Sequence, residues 1–487
     1  MSQDALSLWE RVRVRAIKMV TFLSLCLVLV AGLLTGCAEK EAQKPVTYSP
    51  VGVVPADPQR PGDPKAGYSA LVNGNYITCG VPYSAYRQVT DKPRPNQLIE
   101  GRTGRNQELP YFSTAHVSES GVELVSNNCL LCHAGYIEDK LVIGLGNEFL
   151  DFTNDPIINA ERMGGYVKGD AEAAEWRRWA DRIAAVAPAT VTDTIGANPA
   201  IHMTLALMAH HDPKTLAWSQ QPLIEPPPGS PLPVSVPPWW NMKKKHAMFY
   251  NTEGRGDHAR ILMLAATFCS DTLEEVRRID AFAPDIHAYL ESLEPPAWPY
   301  GIDQALGATG REVFEANCSG CHGTYGDDEH YPNLVIAYQE VGTDPELAKA
   351  STSKEIERFP VWFNNSFYGE IARAEPAPGY IAPPLDGVWA TAPYLHNGSV
   401  PTLEVLLNSP QRPKYWRHPA EPNDYDTRTL GWRYTELDYG KDGTEDDKER
   451  KLIYDTTRLG ASNAGHIFGD GLSDAERVAV LEYLKTL

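Results

Sequence analysis

The sequence predicts a mainly α fold built as two units of similar design in tandem. Three observations predict it. The first is a repeated motif, Cys129-Leu130-Leu131-Cys132-His133 and Cys318-Ser319-Gly320-Cys321-His322. The second is a repeated helix ending. Residues 285–293 read as a helix stopped by Pro295 and Pro296, which cannot continue it, and residues 481–487 at the C-terminus look alike. The third is helical periodicity in the last segment. Val478, Leu481 and Leu484 lie along one side, and Ser473 with Glu476 three residues later makes a capping box.

The spacing of the repeated motif is that of c-type haem attachment. Two thiols lie close enough to form thioethers to one porphyrin, and the following His is placed to bind its iron. One such motif is also compatible with a redox dithiol; two point to two covalently attached haem c groups. Residues 310–317, with Val313 and Phe314 apolar, read as a helix running into Cys318. An opening helix that delivers the Cys pair and a closing helix packed across it make a cytochrome c-like domain. The expected organisation is a signal segment over 1–36, a flexible tether over 37–66, a first haem domain over 67–299 and a second over 300–487. The first domain carries a long insertion between its motif and its closing helix. There, residues 172–186 read as an amphipathic helix and 222–238 as a Pro-rich extended run. Residues 438–451 are charge-dense and read as a solvated loop.

The N-terminus has Arg11, Arg13, Arg15 and Lys18, then an apolar run over 19–34, then Leu34-Thr35-Gly36-Cys37. This pattern is that of a bacterial lipoprotein signal with Cys37 lipidated; an uncleaved span is disfavoured because the run is short and ends on small residues. Lipid at Cys37 predicts a protein anchored on the periplasmic side of a membrane. Ala38, not Asp, follows Cys37, which favours the outer membrane. Cys79 and Cys269 are left over and read either as a disulfide or as two buried thiols. The net charge of −19 disfavours nucleic acid as a partner and suits a basic soluble electron donor or acceptor.

The second axial position of each iron decides its chemistry. No Met follows Met263, so the second haem takes no Met from its own domain. Of His330, His396, His418 and His466, the first choice as its distal ligand is His466, just before the closing helix. His396 is the runner-up, with hydrogen bonding to a propionate or turn as its other role. The first haem offers His202, Met203, Met208, Met242, His246, Met248 and His258 without a clear winner. An open or weakly closed iron is expected there, with Trp239 and Trp240 either lining its pocket or serving as core aromatics.

Residues 385–403, including Leu395-His396-Asn397-Gly398-Ser399-Val400-Pro401-Thr402-Leu403, resemble the dihaem cytochrome c peroxidase superfamily. Together with Pro238 to Lys245 and Gly465-His466 they are closest to its branch of rubber oxygenases and dihaem fatty-acid dioxygenases. The resemblance spans about residues 67–487. It implies a reactive haem on His133 that meets peroxide or dioxygen, with Trp240 near it. It also implies a six-coordinate haem on His322 that relays electrons, and a calcium site between the domains that falls on no named residue. The absent Met ligand departs from a standard peroxidase, and a lipid anchor fits poorly with attack on an external polymer. A non-catalytic dihaem electron carrier is the alternative.

Overall fold

A computed structural model describes residues 43–487 other than 421 and 423. The signal segment, Cys37 and the first part of the expected tether lie outside the described residues. No helix among the described residues is long and apolar enough to cross a membrane.

In chain order the elements that position the site begin with strand β1 (Gly52–Val53) and helix α1 (Pro64–Asn73). Hairpin β2–β3 (Ser113–Val117, Glu123–Asn127) and hairpin β4–β5 (Ala134–Ile137, Lys140–Ile143) follow. Next come helices α2 (Gly169–Val186), α3 (His258–Leu262), α4 (Ala283–Glu291) and α5 (Gln304–Asn317). Strands β6 (Leu334–Ala337) and β7 (Gly379–Ile381) precede the last helix, α6 (Asp474–Leu484). Helix covers 38% of residues and strand 12%, and the sheets have two or three strands each. Helix leads, but the many short strands make "mainly α" too simple a description.

Two crossing helix pairs organise the molecule. α1 packs on α4, and α5 packs on α6. Each crossing is closed by a glycine. A Cβ at Gly67 would clash with the Asp285 carbonyl, and one at Gly310 with the Ala479 carbonyl. Each opening helix has an Asp cap, Asp63 accepting from the Lys65 N–H and Asp303 from the Ala305 N–H. Ser473 and Glu476 form the capping box of α6.

The route from opening helix to Cys pair differs between the pairs. α5 runs directly into Cys318, whose N–H donates to the Phe314 carbonyl at 2.8 Å. Residues 74–128 separate α1 from Cys129, and the motif is delivered by hairpin β2–β3. The Asn128 side chain then caps the short turn Cys129–Leu131. The first half therefore has an insertion before its motif as well as the expected one after it.

The tether expectation needs correction. From Ser49 onwards the segment is strapped to the body. β1 pairs antiparallel with β6, Gly52 opposite Val335, and the Val54 N–H donates to the Asn333 carbonyl at 2.9 Å. Arg60 reaches Asp257 at 2.9 Å and Asp280 at 2.7 Å. The Pro and charge content that reads as solvated has partners some 200 residues away, which composition does not reveal. Cys79 and Cys269 are joined by a disulfide. Residues 222–238 form neither helix nor strand. The charge-dense loop is not wholly solvated: Lys441 is buried and donates to the Arg450 carbonyl at 2.9 Å.

Candidate haem cavity

The second motif lies at the end of α5. The His322 ring donates from Nδ1 to the Pro383 carbonyl at 2.9 Å, which leaves Nε2 as the lone pair. Burial pushes its pKa down. Facing it is His466, with ring centroids 6.0 Å apart and planes at 62°. Two imidazoles bonded to one metal at about 2 Å each have centroids about 6 Å apart. The spacing fits an iron between them.

His466 is aimed by contacts far apart in sequence. Gly465 and His466 both have positive φ, 74° and 45°. Gly465 presses on the backbone of Gly342 and Thr343 with no room for a Cβ. The His466 N–H donates to the Val341 carbonyl at 2.7 Å. Arg412 donates to the carbonyls of Asn463 and Gly465, each at 2.6 Å, and of His466 at 3.0 Å. Asn397 donates to Gly460 and Ser462 carbonyls, each at 2.9 Å. His466 is one of nine non-glycine residues at positive φ among the described residues, and these contacts hold it there. His466 itself is pushed down to about 4, by burial first and then by His322. It stays neutral and able to bind a metal.

His396 does not face His322. Its ring stacks on Tyr380 at 4.1 Å and 20°. Its neighbours in the turn, Asn397 and Ser399, hold the loop that carries His466.

The first motif has a different setting. Burial pushes His133 down to about 3, with the Pro237 carbonyl opposing the shift. Its ring lies flat on Trp239, centroids 4.4 Å apart at 15°. Among the described residues no histidine ring packs against His133 as His466 does against His322. Of the seven residues considered for this iron, Met208, Met242, Met248 and His258 line the cavity. His202 and His246 spend a ring nitrogen on the Gly229 and Val54 carbonyls instead.

Burial raises the motif thiols, Cys132 to about 12 and Cys318 to about 11. A redox dithiol needs a lowered thiol, so this environment suits attachment rather than exchange.

One cavity of about 570 Å3 connects the two motifs, lined by His133, Trp239, His258, His322 and His466. Leu205, Met208, Ile261, Leu264 and Phe363 make an apolar wall. Trp240 is not part of that lining. It is fully buried, its indole N–H donates to the Asp386 carbonyl at 2.8 Å, and it packs with Leu145 and Trp389. Adjacent residues on a tight turn point to different sides, so only Trp239 reaches the cavity. Among the described residues no three acidic, His or Cys side chains gather as a metal site, so the expected calcium finds no side-chain cage.

Sequence reasoning missed Arg412, Gly342 and Tyr380. No local signal marks them. For Asn397 the polar turn (Asn-Gly-Ser) is the available hint.

Comparisons with known proteins agree with the second motif. Residues 307–395 match the cytochrome c family, and residues 379–417 match the family described as RoxA-like, cytochrome c-like. A cytochrome c domain is thus present near the C-terminus, and it implies covalent haem c. Two relatives are the uncharacterized proteins y4iJ and y4iM of Sinorhizobium fredii (strain NBRC 101917 / NGR234). The first is 30% identical over 293 residues, covering 46% of this chain and 47% of the relative. The second is 32% identical over 203 residues, covering 37% and 44%. The chain spans less than half the length of these relatives.

Proposed function

We propose that the protein is a dihaem c-type oxidoreductase. It activates peroxide or dioxygen at a first haem held by Cys129, Cys132 and His133. A second haem, held by Cys318, Cys321, His322 and His466, relays electrons. The observation that carries this reading is the unequal setting of the two motif histidines. His322 has a second imidazole across a metal-sized gap, and among the described residues no imidazole packs against His133 in that way. A closed iron suits electron transfer and an open one suits small-molecule activation.

Bound haem would supply the redox-active iron. The chain does the rest. His133 and His322 offer neutral lone pairs, Trp239 fixes the plane of His133, and the apolar wall keeps water out. That wall suits transfer of oxygen to an apolar organic molecule better than a bare peroxidase site would need. The RoxA-like match supports the oxygenase side of the reading. The Cys79–Cys269 disulfide supports an oxidising compartment. With Cys37 lipidated, the enzyme would face the periplasm from the outer membrane and meet a soluble electron donor or acceptor there.

The test is to produce the protein with a c-type maturation system and record its EPR and visible spectra before and after peroxide or dioxygen. One high-spin and one low-spin haem are expected, with the high-spin signal responding to oxidant. Two low-spin haems, both inert, would make the protein an electron carrier and end the oxygenase reading.

A further inference from the structure

Histidines aside, the ionisable acids and bases that line the cavity are Lys245, Glu253, Arg373 and Asp386. Two of them are matched. Arg373 reaches Glu375 at 2.6 Å and Asp57 at 3.0 Å, and Asp386 reaches Lys244 at 2.6 Å. Glu253 accepts from Asn251 Nδ2 at 3.2 Å, and burial raises its carboxyl to about 7, towards the neutral form. Lys245 is the charge left over. Its side chain is half-buried, its ammonium has only a long contact with the Phe249 carbonyl at 3.4 Å, and among the described residues it is in no ion pair. The two lysines before it are both paired, Lys243 with Glu294 at 2.8 Å and Lys244 with Asp386. We propose that Lys245 holds a carboxylate in this cavity, and that the carboxylate is a propionate of the haem carried by His133. The proposal rests on the reading above that a haem is held there.

The chain places Lys245 beside the first motif. It follows the turn Trp239–Lys243, whose Trp239 lies flat on His133, and its N–H donates to the Met242 carbonyl at 3.2 Å. Asn333 pins the backbone on both sides of it. The Asn333 Nδ2 donates to the Lys244 carbonyl at 2.9 Å, and its Oδ1 accepts from the His246 N–H at 2.7 Å. Asn333 is itself buried, and its carbonyl accepts from the Val54 N–H of the strap. Lys245 is therefore held at the cavity wall by its backbone, and its charge serves none of the ion pairs of the fold. Burial pushes the ammonium down to about 8, so it keeps its proton at neutral pH. A porphyrin that fills the cavity displaces water from this ammonium, and an ammonium left without a counter-ion in apolar surroundings is costly. Each haem brings two propionates, and these are the anions that enter with it. The acid group of an incoming organic molecule has the same chemistry, so the test has to separate the two sources.

Resonance Raman spectra and redox titration of the haem-loaded protein test this. In Lys245→Gln and Lys245→Met the propionate bending mode of the first haem is expected to shift. Its midpoint potential is expected to fall, because an electron added there loses a nearby positive charge. The potential of the second haem is expected to stay, and Lys245→Arg is expected to restore most of both signals. Lys243→Gln removes the same charge two residues away, from a lysine already paired with Glu294, and is expected to leave the propionate mode unchanged. A retained low-spin signal from the second haem shows that each variant is folded. An unchanged propionate mode in both Lys245→Gln and Lys245→Met would overturn the proposal. So would added decanoate that perturbs the haem spectrum of the unaltered protein but not that of Lys245→Gln, with the propionate mode the same in both, since the carboxylate would then come from outside. Haem number by intact mass separates the two levels. Two haems with no effect of Lys245 defeats this inference alone, and a single haem on Cys318 and Cys321 defeats the reading beneath it as well.

Discussion

The α1–α4 and α5–α6 crossings share a plan, a capped opening helix and a glycine where the closing helix comes closest. They differ in what stands around the motif. In the second half the opening helix itself carries Cys318, and a loop tied by Arg412 brings His466 over His322. In the first half a hairpin carries Cys129, Trp239 lies beside His133, and the cavity beyond is apolar. The same helix crossing thus supports two different surroundings for a motif histidine. Loops and insertions, not the crossing helices, make the difference.

The largest effect is expected from His466→Ala. It should convert the low-spin haem to high-spin, whereas Met208→Ala, Met242→Ala and Met248→Ala should each leave both signals unchanged. EPR of the four variants checks this. A spin change in any Met variant would mean that the first site is closed too, and the contrast would vanish.

Next come Gly67→Val and Gly310→Val. Each forces side-chain atoms into a backbone carbonyl across a helix crossing, and overpacking of this kind costs about 1–3 kcal/mol. Thermal unfolding should show similar losses for both. The spectra should separate them, Gly310→Val disturbing the low-spin haem and Gly67→Val the high-spin one. A large loss for one and none for the other would break the parallel between the crossings.

A more gradual effect, spread over a range of pH, concerns acid stability of the second half. His418 is buried, and burial pushes it down to about 4 from the ordinary imidazole value near 6.5. Between these values the unfolded chain binds the extra proton, so stability falls as pH drops through that window. The loss approaches about 3 kcal/mol at the acid end. Urea unfolding from pH 7 to pH 4 should show this slope, and His418→Phe should make it shallower. An unchanged slope would remove His418 from the account.

The part of the site legible in the sequence is the part made by neighbours. Cys-x-x-Cys-His places two thiols and an imidazole within one turn, and Ser473 with Glu476 caps one helix end. The distal ligand was narrowed but not decided by sequence alone. His396 and His466 both sit beside glycine-containing turns, and only their contacts separate them. Trp239 and Trp240 were indistinguishable for the same reason, being adjacent residues whose opposite facing depends on what packs against each.

What the sequence determined by itself was local form: two Cys-x-x-Cys-His motifs, a capping box on the last helix and no Met after Met263. These need only spacing along the chain. The tertiary structure alone decided which imidazole faces His322 and that the supposed tether is a strap. Each of these depends on partners far along the chain, Gly342 with Gly465, Arg60 with Asp257 and Gln59 with His258. Contacts at such separations leave no periodic or local mark in the sequence, because the geometry that unites them exists only once the chain has folded.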